Sequence, residues 1–286
     1  MMTDVDKRCS WVMVMALCLI FSAPAVAVPH AWFPLMSAQP PTEPLIKRYR
    51  PPHGYRRVAV GPKSFAAWLR SLPIRTDRVQ VLSYQGIPLR RPSDGIVAMD
   101  VGDRDLMQCA DSVIRLHAEY LWSHNRQSEA AYRFTSGDET RWSDWVAGER
   151  MHIDGNRVRR ARGPARTSDH RSYRLWLDLV FTYAGTTSLA RDAQTLPVGV
   201  PVEAGEFYVE GGSPGHAVIV LDVVTNSDGI RLGLLGQGFM PAEDIHVLQS
   251  PIAVDGVWFR LPTQAEEALP TPSWRPFASS ARRRLH

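Results

Sequence analysis

The segment that most restricts the fold is HAVIVLDVVT, which spans residues 216–225 and follows a turn rich in glycine. Apart from its first residue and one aspartate, it is a run of apolar and β-branched residues, which is typical of a strand buried inside a sheet. Two further strand-like runs, EFYVEGG and IRLGLLGQGF, flank it and are joined to it by short turns. Because sequential strands usually lie beside each other, we predict an antiparallel sheet with residues 216–225 at its middle.

Helical patterns precede this sheet. In DLMQCADSVIRLHAEYLW the apolar residues recur at helical spacing from Leu106 to Leu121, and Asp103 or Asp105 can cap the helix. SYRLWLDLVFTYAGTTSLARDA contains a second helix that is broken near Gly185, and a stretch rich in Trp and Arg separates the two. The order predicts an α+β domain, with a cysteine-bearing helix packed on an antiparallel sheet and a helical Trp- and Arg-rich insert.

The N-terminus has the pattern of an export signal. A short basic head, Lys7 and Arg8, precedes the uncharged apolar run WVMVMALCLIFS, and Ala25-Val26-Ala27 fits a small-x-small cleavage site. The apolar run is too short for a comfortable transmembrane helix. We therefore predict a signal peptide at residues 1–27, cleaved after Ala27, and a periplasmic or secreted mature protein without a membrane span.

Composition suggests how the rest of the chain is divided. Residues 28–53 and 262–286 are rich in proline and lack periodicity, which predicts a linker and a disordered tail around a single domain at residues 54–261. A hydrophobic content of 44% with nine Trp supports a globular core. The net charge of +4 comes almost wholly from arginine. We interpret it as a compositional bias and predict no nucleic-acid partner.

Cys109 is the first candidate functional residue. Cleavage of the signal would remove Cys9 and Cys18, so Cys109 would have no disulfide partner in the mature chain. Two roles stay open for it, an inert packing residue on an apolar helix face and a nucleophile. A helix that begins at Asp105 or Leu106 would put this thiol in the opening turns, where free amides stabilise a thiolate or an oxyanion. The adjacent Gln108 is a candidate oxyanion donor.

His216 is the second candidate, because it opens the buried strand directly after Gly211, Gly212 and Gly215. Glycines in such a turn allow backbone or substrate to approach closely, so Gly215 is a candidate substrate-binding residue. His216 is either a polar cap on the turn or the general base for Cys109.

A catalytic imidazole is usually oriented by a third polar group. Gln237, at the end of the strand that follows, is the first choice for this role, and His246 is the second. Alternation along the strand puts Asp222 on the face of His216, but six residues of strand separate them by roughly 20 Å.

Other catalytic patterns are absent from the sequence. It contains no HExxH, CxxC, GxSxG, phosphate-binding loop or dinucleotide fingerprint. We therefore predict neither a metal nor a cofactor.

Four blocks carry a resemblance to a known family: DLMQCADSVIRLHAEYL, LDLVFTYAGTTSL, GHAVIVLD and LLGQGFMPAEDIHVL. Together they resemble an uncharacterised family of secreted bacterial proteins, domain of unknown function 4846 (DUF4846), over about Ser64 to Phe259. That family implies no established activity.

A more distant resemblance is to the NlpC/P60 and CHAP branches of papain-like cysteine peptidases, which cut peptide or amide bonds in bacterial cell walls. Those enzymes place a Cys at a helix start, a His on a strand after a glycine-rich turn, and a polar residue on the next strand. Cys109, His216 and Gln237 match these positions in order. The cysteine block reads QCADS where those families have Asp-Cys-Ser-Gly, and the gap to the histidine is longer.

The leading hypothesis is thus a periplasmic or secreted cysteine amidase or peptidase of papain-like architecture. The resemblance implies a peptidoglycan stem peptide as the substrate, and the same residues would also support acyl transfer. The alternative is a non-catalytic cell-envelope protein that binds glycan or peptide, in which Cys109 packs and the Trp-rich insert makes the contacts.

Overall fold

The computed structural model describes residues 30–155 and 157–286. The α-helices in this part are α1 (Leu45–Arg48), α2 (Phe65–Leu69), α3 (Cys109–Ser123), α4 (Trp142–Val146), α5 (His170–Tyr183) and α6 (Thr186–Asp192). The strands are β1 (Thr42–Pro44), β2 (Arg56–Arg57), β3 (Pro73–Arg75), β4 (Val81–Leu82), β5 (Pro88–Leu89), β6 (Ser93–Ile96), β7 (Ala131–Arg133), β8 (Glu139–Arg141), β9 (Glu149–Asp154), β10 (Arg157–Arg162), β11 (Gln194–Thr195), β12 (Phe207–Glu210), β13 (His216–Thr225), β14 (Arg231–Gln237), β15 (His246–Leu248), β16 (Trp258–Arg260), β17 (Ala268–Thr271), β18 (Trp274–Ala278) and β19 (Arg282–Arg284). Short 3-10 helices cover Phe33–Leu35, Gln127–Glu129 and Ser279–Ala281. The predicted signal peptide lies outside the described residues.

The largest sheet joins nine of these strands in the order β11-β19-β12-β13-β14-β15-β6, with β16 paired to β14 and β2 paired to β13. Its strand pairs are antiparallel. The long apolar strand β13 lies between β12 and β14, as its sequence predicts. The chain is therefore an α+β protein built on an antiparallel sheet.

The two faces of β13 contact different layers. Ala217, Ile219 and Leu221 pack in one core with the apolar side of α3, α5 and α6. Val218 and Val220 pack in a second core with Tyr208 and Phe277, on the face opposite α3. Because side chains alternate along a strand, His216 lies on the second face with Val218 and Val220.

The alternation stops at a register shift between Val220 and Asp222. Such a bulge changes which face the following residues occupy, so the expectation that Asp222 shares the face of His216 is wrong. Its carboxylate is fully buried and forms ion pairs with Arg57 at 2.8 Å and Arg70 at 2.7 Å. Asp222 thus has a structural role in attaching β2 and α2 to the sheet.

Residues 262–286, predicted to be a disordered tail, are ordered instead. They form the hairpin β17–β18 and the sheet strand β19. Leu269 and Phe277 are buried in the second core. Composition failed here because this segment contributes a few apolar side chains whose partners are distant in sequence, which local patterns do not register.

The predicted linker at residues 28–53 is also structured where it is described. Strand β1 pairs with β3, and Trp32, Leu45 and Tyr49 are buried in the first core. The indole of Trp32 donates a hydrogen bond to the carbonyl oxygen of Ala98 at 2.9 Å. Proline content gave the wrong result because short edge strands tolerate proline.

In the described part of the Trp- and Arg-rich insert, α4 is the only helix. Its arginine-rich part is the hairpin β9–β10, in whose backbone register Arg157 lies opposite Asp154 and Arg162 lies opposite Glu149. The strand β10 has mostly exposed side chains, which obscured its alternation in the sequence. Within the described residues, the structure contains no helix long and apolar enough to cross a membrane.

Candidate functional site

Helix α3 begins at Cys109, later than the predicted start at Asp105 or Leu106. Gln108 is the N-cap residue, and its backbone amide donates to Oδ2 of Asp111 at 3.1 Å. Asp105 accepts hydrogen bonds from the Gln108 side chain at 3.1 Å and from the amide of Ala242 at 2.6 Å. The expected cap from Asp103 or Asp105 is therefore wrong, because Asp111 takes the free amide at the helix start.

The thiol of Cys109 is nearly enclosed, with 6% of the residue exposed. Sγ of Cys109 donates a weak hydrogen bond to the carbonyl oxygen of Gly215, at a distance of 4.0 Å. Burial and the nearby Asp111 raise the pKa of the Cys109 thiol to about 11, although the backbone amides of Ala217 and Ala110 favour the thiolate. The helix start thus offers amides to the sulfur, but desolvation outweighs them.

A cleft of about 480 Å³ lies in front of this thiol. It is formed where the start of α3, the start of α6 and the glycine-rich turn before β13 meet. Its lining includes Gln108, the candidate oxyanion donor, and Gly215, the candidate substrate-binding residue. A Cβ at Gly215 would lie 2.2 Å from Oγ1 of Thr186, so only glycine lets the turn approach α6 this closely. The other residues that line the cleft are Asp105, Leu106, Cys109, Ala110, Asp111, Thr135, Phe181, Thr182, Ala184, Gly185, Thr186, Thr187, Gly212, Ser213, Pro214 and Met240.

His216 and Gln237 are brought together directly. The imidazole Nε2 of His216 lies 2.8 Å from Oε1 of Gln237. The ring is 1% exposed and packs against Phe239, Trp274 and Phe277 at centroid distances of 4.7, 5.3 and 6.0 Å. Burial lowers the pKa of His216 to about 4, so the imidazole is neutral at pH 7.

The thiol and the imidazole are not hydrogen-bonded to each other in the part of the chain that the structure describes. Cys109 reaches the backbone on either side of His216, at Gly215 and Ala217. The imidazole extends from the opposite face of the strand into the second core. Strand alternation is therefore what separates the two groups.

Asp111 is the site residue that sequence reasoning missed. The four-residue spacing of Asp111, Arg115 and Glu119 predicts ion pairs on a polar face of the helix, yet all three side chains are buried. Arg115 pairs with Glu119 at 2.8 Å, whereas Oδ1 of Asp111 has no hydrogen-bond partner among the described residues. Burial raises the pKa of Asp111 well above its usual range, although the amide of Gln108 favours the carboxylate, and this carboxyl group lines the cleft. The available signal was an acidic residue at the third helical position.

Among residues 30–155 and 157–286, no group of three or more His, Cys, Asp or Glu side chains converges in a way that could hold a metal ion.

Comparison with known proteins identifies the family. The model of the domain of unknown function 4846 matches residues 45–284, which extends the resemblance beyond Ser64 and Phe259 on both sides. No curated protein and no solved structure matches the chain significantly.

Proposed function

The chain belongs to the DUF4846 family, and since this membership brings no activity with it, we propose from the site itself that the protein is a cysteine-nucleophile amidase or peptidase. The observation that carries the proposal is the position of Cys109. It is the first residue of α3, it lines the cleft, and its sulfur contacts the carbonyl of the residue before His216. A thiol, helix-start amides and a His–Gln pair are the parts that acyl transfer to cysteine requires.

The reaction follows from these groups. The imidazole of His216 lies in the second core, so this reaction requires its ring to move to the Cys109 side of β13 when substrate binds. Sγ of Cys109 then attacks an amide carbonyl while its proton passes to Nδ1 of His216, and the new oxyanion is held by amides at the start of α3. The protonated imidazole then gives its proton to the departing amine as the C–N bond breaks. Water, deprotonated by the same imidazole, cleaves the thioester and restores the thiol. A second amine in place of water would make the outcome acyl transfer.

The pKa values favour a concerted first step. The thiol pKa of about 11 and the imidazole pKa of about 4 differ by about seven pH units. Forming a thiolate–imidazolium pair before attack would cost roughly 10 kcal/mol at this spacing of pKa values. Proton transfer during attack avoids that intermediate, and hydrogen bonds of a catalytic pair often form only when substrate is bound.

The proposed substrate class is a peptide of the bacterial cell wall, in a periplasmic or secreted setting. The signal-like N-terminus and the papain-like order of Cys109, His216 and Gln237 support this choice. The cleft volume accommodates a few residues of a peptide, and its hydroxyl groups, at Thr135, Thr182, Thr186 and Thr187, suit a polar backbone.

Two observations favour a second candidate function. The raised pKa of the Cys109 thiol and its lack of a hydrogen bond to His216 fit a protein that binds a peptide or glycan in the cleft without cleaving it. In that case Oδ1 of Asp111, which has no hydrogen-bond partner among the described residues, would form a hydrogen bond with a polar group of the ligand, and no covalent step would follow.

Incubation of the full chain with purified peptidoglycan stem peptides distinguishes these functions. We expect new amino termini by mass spectrometry, and a loss of about 100-fold or more in rate for Cys109→Ser and His216→Ala. His53→Ala, at an exposed histidine, is the matched control and should keep the rate. Binding without cleavage, equal in wild type and Cys109→Ser, would support the binding function; neither binding nor cleavage would refute both for this substrate class.

A further inference from the structure

A chain of polar side chains crosses the sheet from β13 to β15 beneath the second core. His216 Nε2 lies 2.8 Å from Oε1 of Gln237, and Nε2 of Gln237 lies 3.4 Å from Nε2 of His246. At the far end, Nδ1 of His246 lies 3.2 Å from the carbonyl oxygen of Asp244. All three side chains are 1% exposed or less, so they bond to each other rather than to bulk water.

The direction of each hydrogen bond in this chain follows from the backbone carbonyl of Asp244 at its far end. A backbone carbonyl can only accept, so Nδ1 of His246 carries the proton. Oε1 of Glu243 lies 3.6 Å from the same nitrogen, which is beyond hydrogen-bond distance. Burial lowers the pKa of His246 to about 4, which leaves a single ring proton at pH 7. Nε2 of His246 is then an acceptor.

This acceptor determines how the amide of Gln237 is oriented. Only the NH₂ group of Gln237 can donate to Nε2 of His246, so its carbonyl oxygen must point to His216. That oxygen requires a donor, and Nε2 of His216 must therefore carry the proton. A neutral His216 then keeps its lone pair on Nδ1, which makes no hydrogen bond with the described residues.

We propose that His246 is a positioning residue that acts through Gln237 to hold His216 in the tautomer protonated at Nε2. This leaves Nδ1 unprotonated, which is the nitrogen that the proposed cysteine chemistry needs as its base. The catalytic role of the tautomer rests on the proposed function, whereas the tautomer itself does not.

Aromatic rings pack around the imidazole of His216. Phe239 lies against it in a tilted arrangement with a centroid distance of 4.7 Å, and the guanidinium of Arg91 covers Phe239 at 4.5 Å. Arg91 forms an ion pair with Glu243 at 2.8 Å and donates to the carbonyl of Met240 at 2.8 Å. Phe277 stacks on the imidazole at 6.0 Å. These apolar contacts do not distinguish the two ring nitrogens, so the hydrogen bond to Gln237 is the contact that selects the tautomer.

The test is nitrogen-15 NMR of the histidine rings in the full chain at pH 7. We expect His216 as a single tautomer protonated at Nε2 in the wild type. His246→Leu removes the acceptor for the Gln237 amide, so we expect His216 to populate both tautomers and any amidase rate to fall about 10- to 100-fold. This loss is smaller than for a ring held entirely in the wrong tautomer. His246→Gln restores an acceptor oxygen and should restore both the single tautomer and the rate.

Thermal unfolding of each variant separates a tautomer change from loss of the fold. A wild-type His216 protonated at Nδ1 would overturn the proposal even if no variant folds. So would a folded His246→Leu protein with an unchanged tautomer. The expected tautomer pattern together with an inert Cys109 would instead refute the proposed function and leave the positioning of His216 intact.

Discussion

At the residue scale, burial rather than sequence position determines the charge state of the candidate groups. Cys109 lies at a helix start, where a thiolate is ordinarily stabilised, yet desolvation raises the pKa of its thiol to about 11. The same cause raises the pKa of Asp111, two residues on, well above its usual range. Placing these residues at the helix start was possible from the sequence, but their degree of burial was not.

Breaking the buried ion pair of α3 should destabilise the protein strongly. Glu119 is fully buried between Arg115, at 2.8 Å, and His170, at 2.9 Å. Glu119→Gln leaves the Arg115 charge with only its contact to Asp100, and we expect a loss of about 3–5 kcal/mol in the free energy of unfolding, measured with urea. Glu129→Gln, in the exposed pair with Arg126, is the control and should leave the free energy of unfolding nearly unchanged. Equal effects of the two substitutions would contradict this view of α3.

The buried histidines predict a loss of stability in acid. Burial lowers the pKa of His117, His216 and His246 to about 4 each, so between pH 6.5 and pH 4 the unfolded chain binds more protons than the native protein. The contribution of these histidines to stability is then complete above pH 6.5 and falls as the pH is lowered, by about 1.4 kcal/mol per pH unit for each histidine. Urea unfolding across this range should show a shallower slope for His117→Gln by about one proton. The exposed His53→Gln should leave the slope unchanged, and an unchanged slope for His117→Gln would contradict the prediction.

At the element scale, the site depends on close packing between the end of β14 and the start of α3. A Cβ at Gly238, the residue after β14, would lie 2.3 Å from Oγ of Ser112 and 3.3 Å from the carbonyl oxygen of Gln108. Ser112 Oγ in turn donates to that carbonyl at 2.7 Å. The end of β14 is therefore packed directly on the first turn of α3, which places Gln237 and the Cys109 helix start close together.

This contact predicts a non-additive pair of substitutions. Gly238→Ala should destabilise the protein by about 1–3 kcal/mol, because the new methyl group collides with Ser112 Oγ. In a Ser112→Ala background the nearest remaining atoms are at van der Waals distance or slightly tighter, so most of that cost should disappear. A double-mutant cycle by urea unfolding measures the coupling. Strict additivity would show that the clash is relieved by another movement.

At the scale of the whole molecule, the C-terminal segment completes the second layer. The hairpin β17–β18 covers the sheet face that holds His216, and strand β19 pairs with β12. Phe277 is 1% exposed and contacts both His216 and Tyr208, with centroid distances of 6.0 and 6.3 Å. The environment that keeps His216 neutral therefore depends on residues about 60 positions later in the chain.

Truncating this side chain tests the layer. Phe277→Ala should lower the free energy of unfolding by about 3–5 kcal/mol, because it leaves a cavity beside the imidazole. Water in that cavity should also raise the pKa of His216 towards its ordinary value, which NMR titration of the ring measures. Ala278→Ser, at the exposed next position, is the matched control and should change neither quantity. A Phe277→Ala protein of native stability would mean that the hairpin does not seal this face.

The sequence by itself determined the α+β class, the central place of β13 and the pairing of His216 with Gln237, because these follow from local hydrophobic patterns and from strands that are neighbours in sequence. The tertiary structure decided the rest. The face of the sheet to which His216 extends, the order of residues 262–286 and the burial of Cys109 and Asp111 all depend on contacts between distant segments. Burial removes water from a charged group regardless of its position in the sequence, so the protonation states of the site could only be derived once the layers were packed.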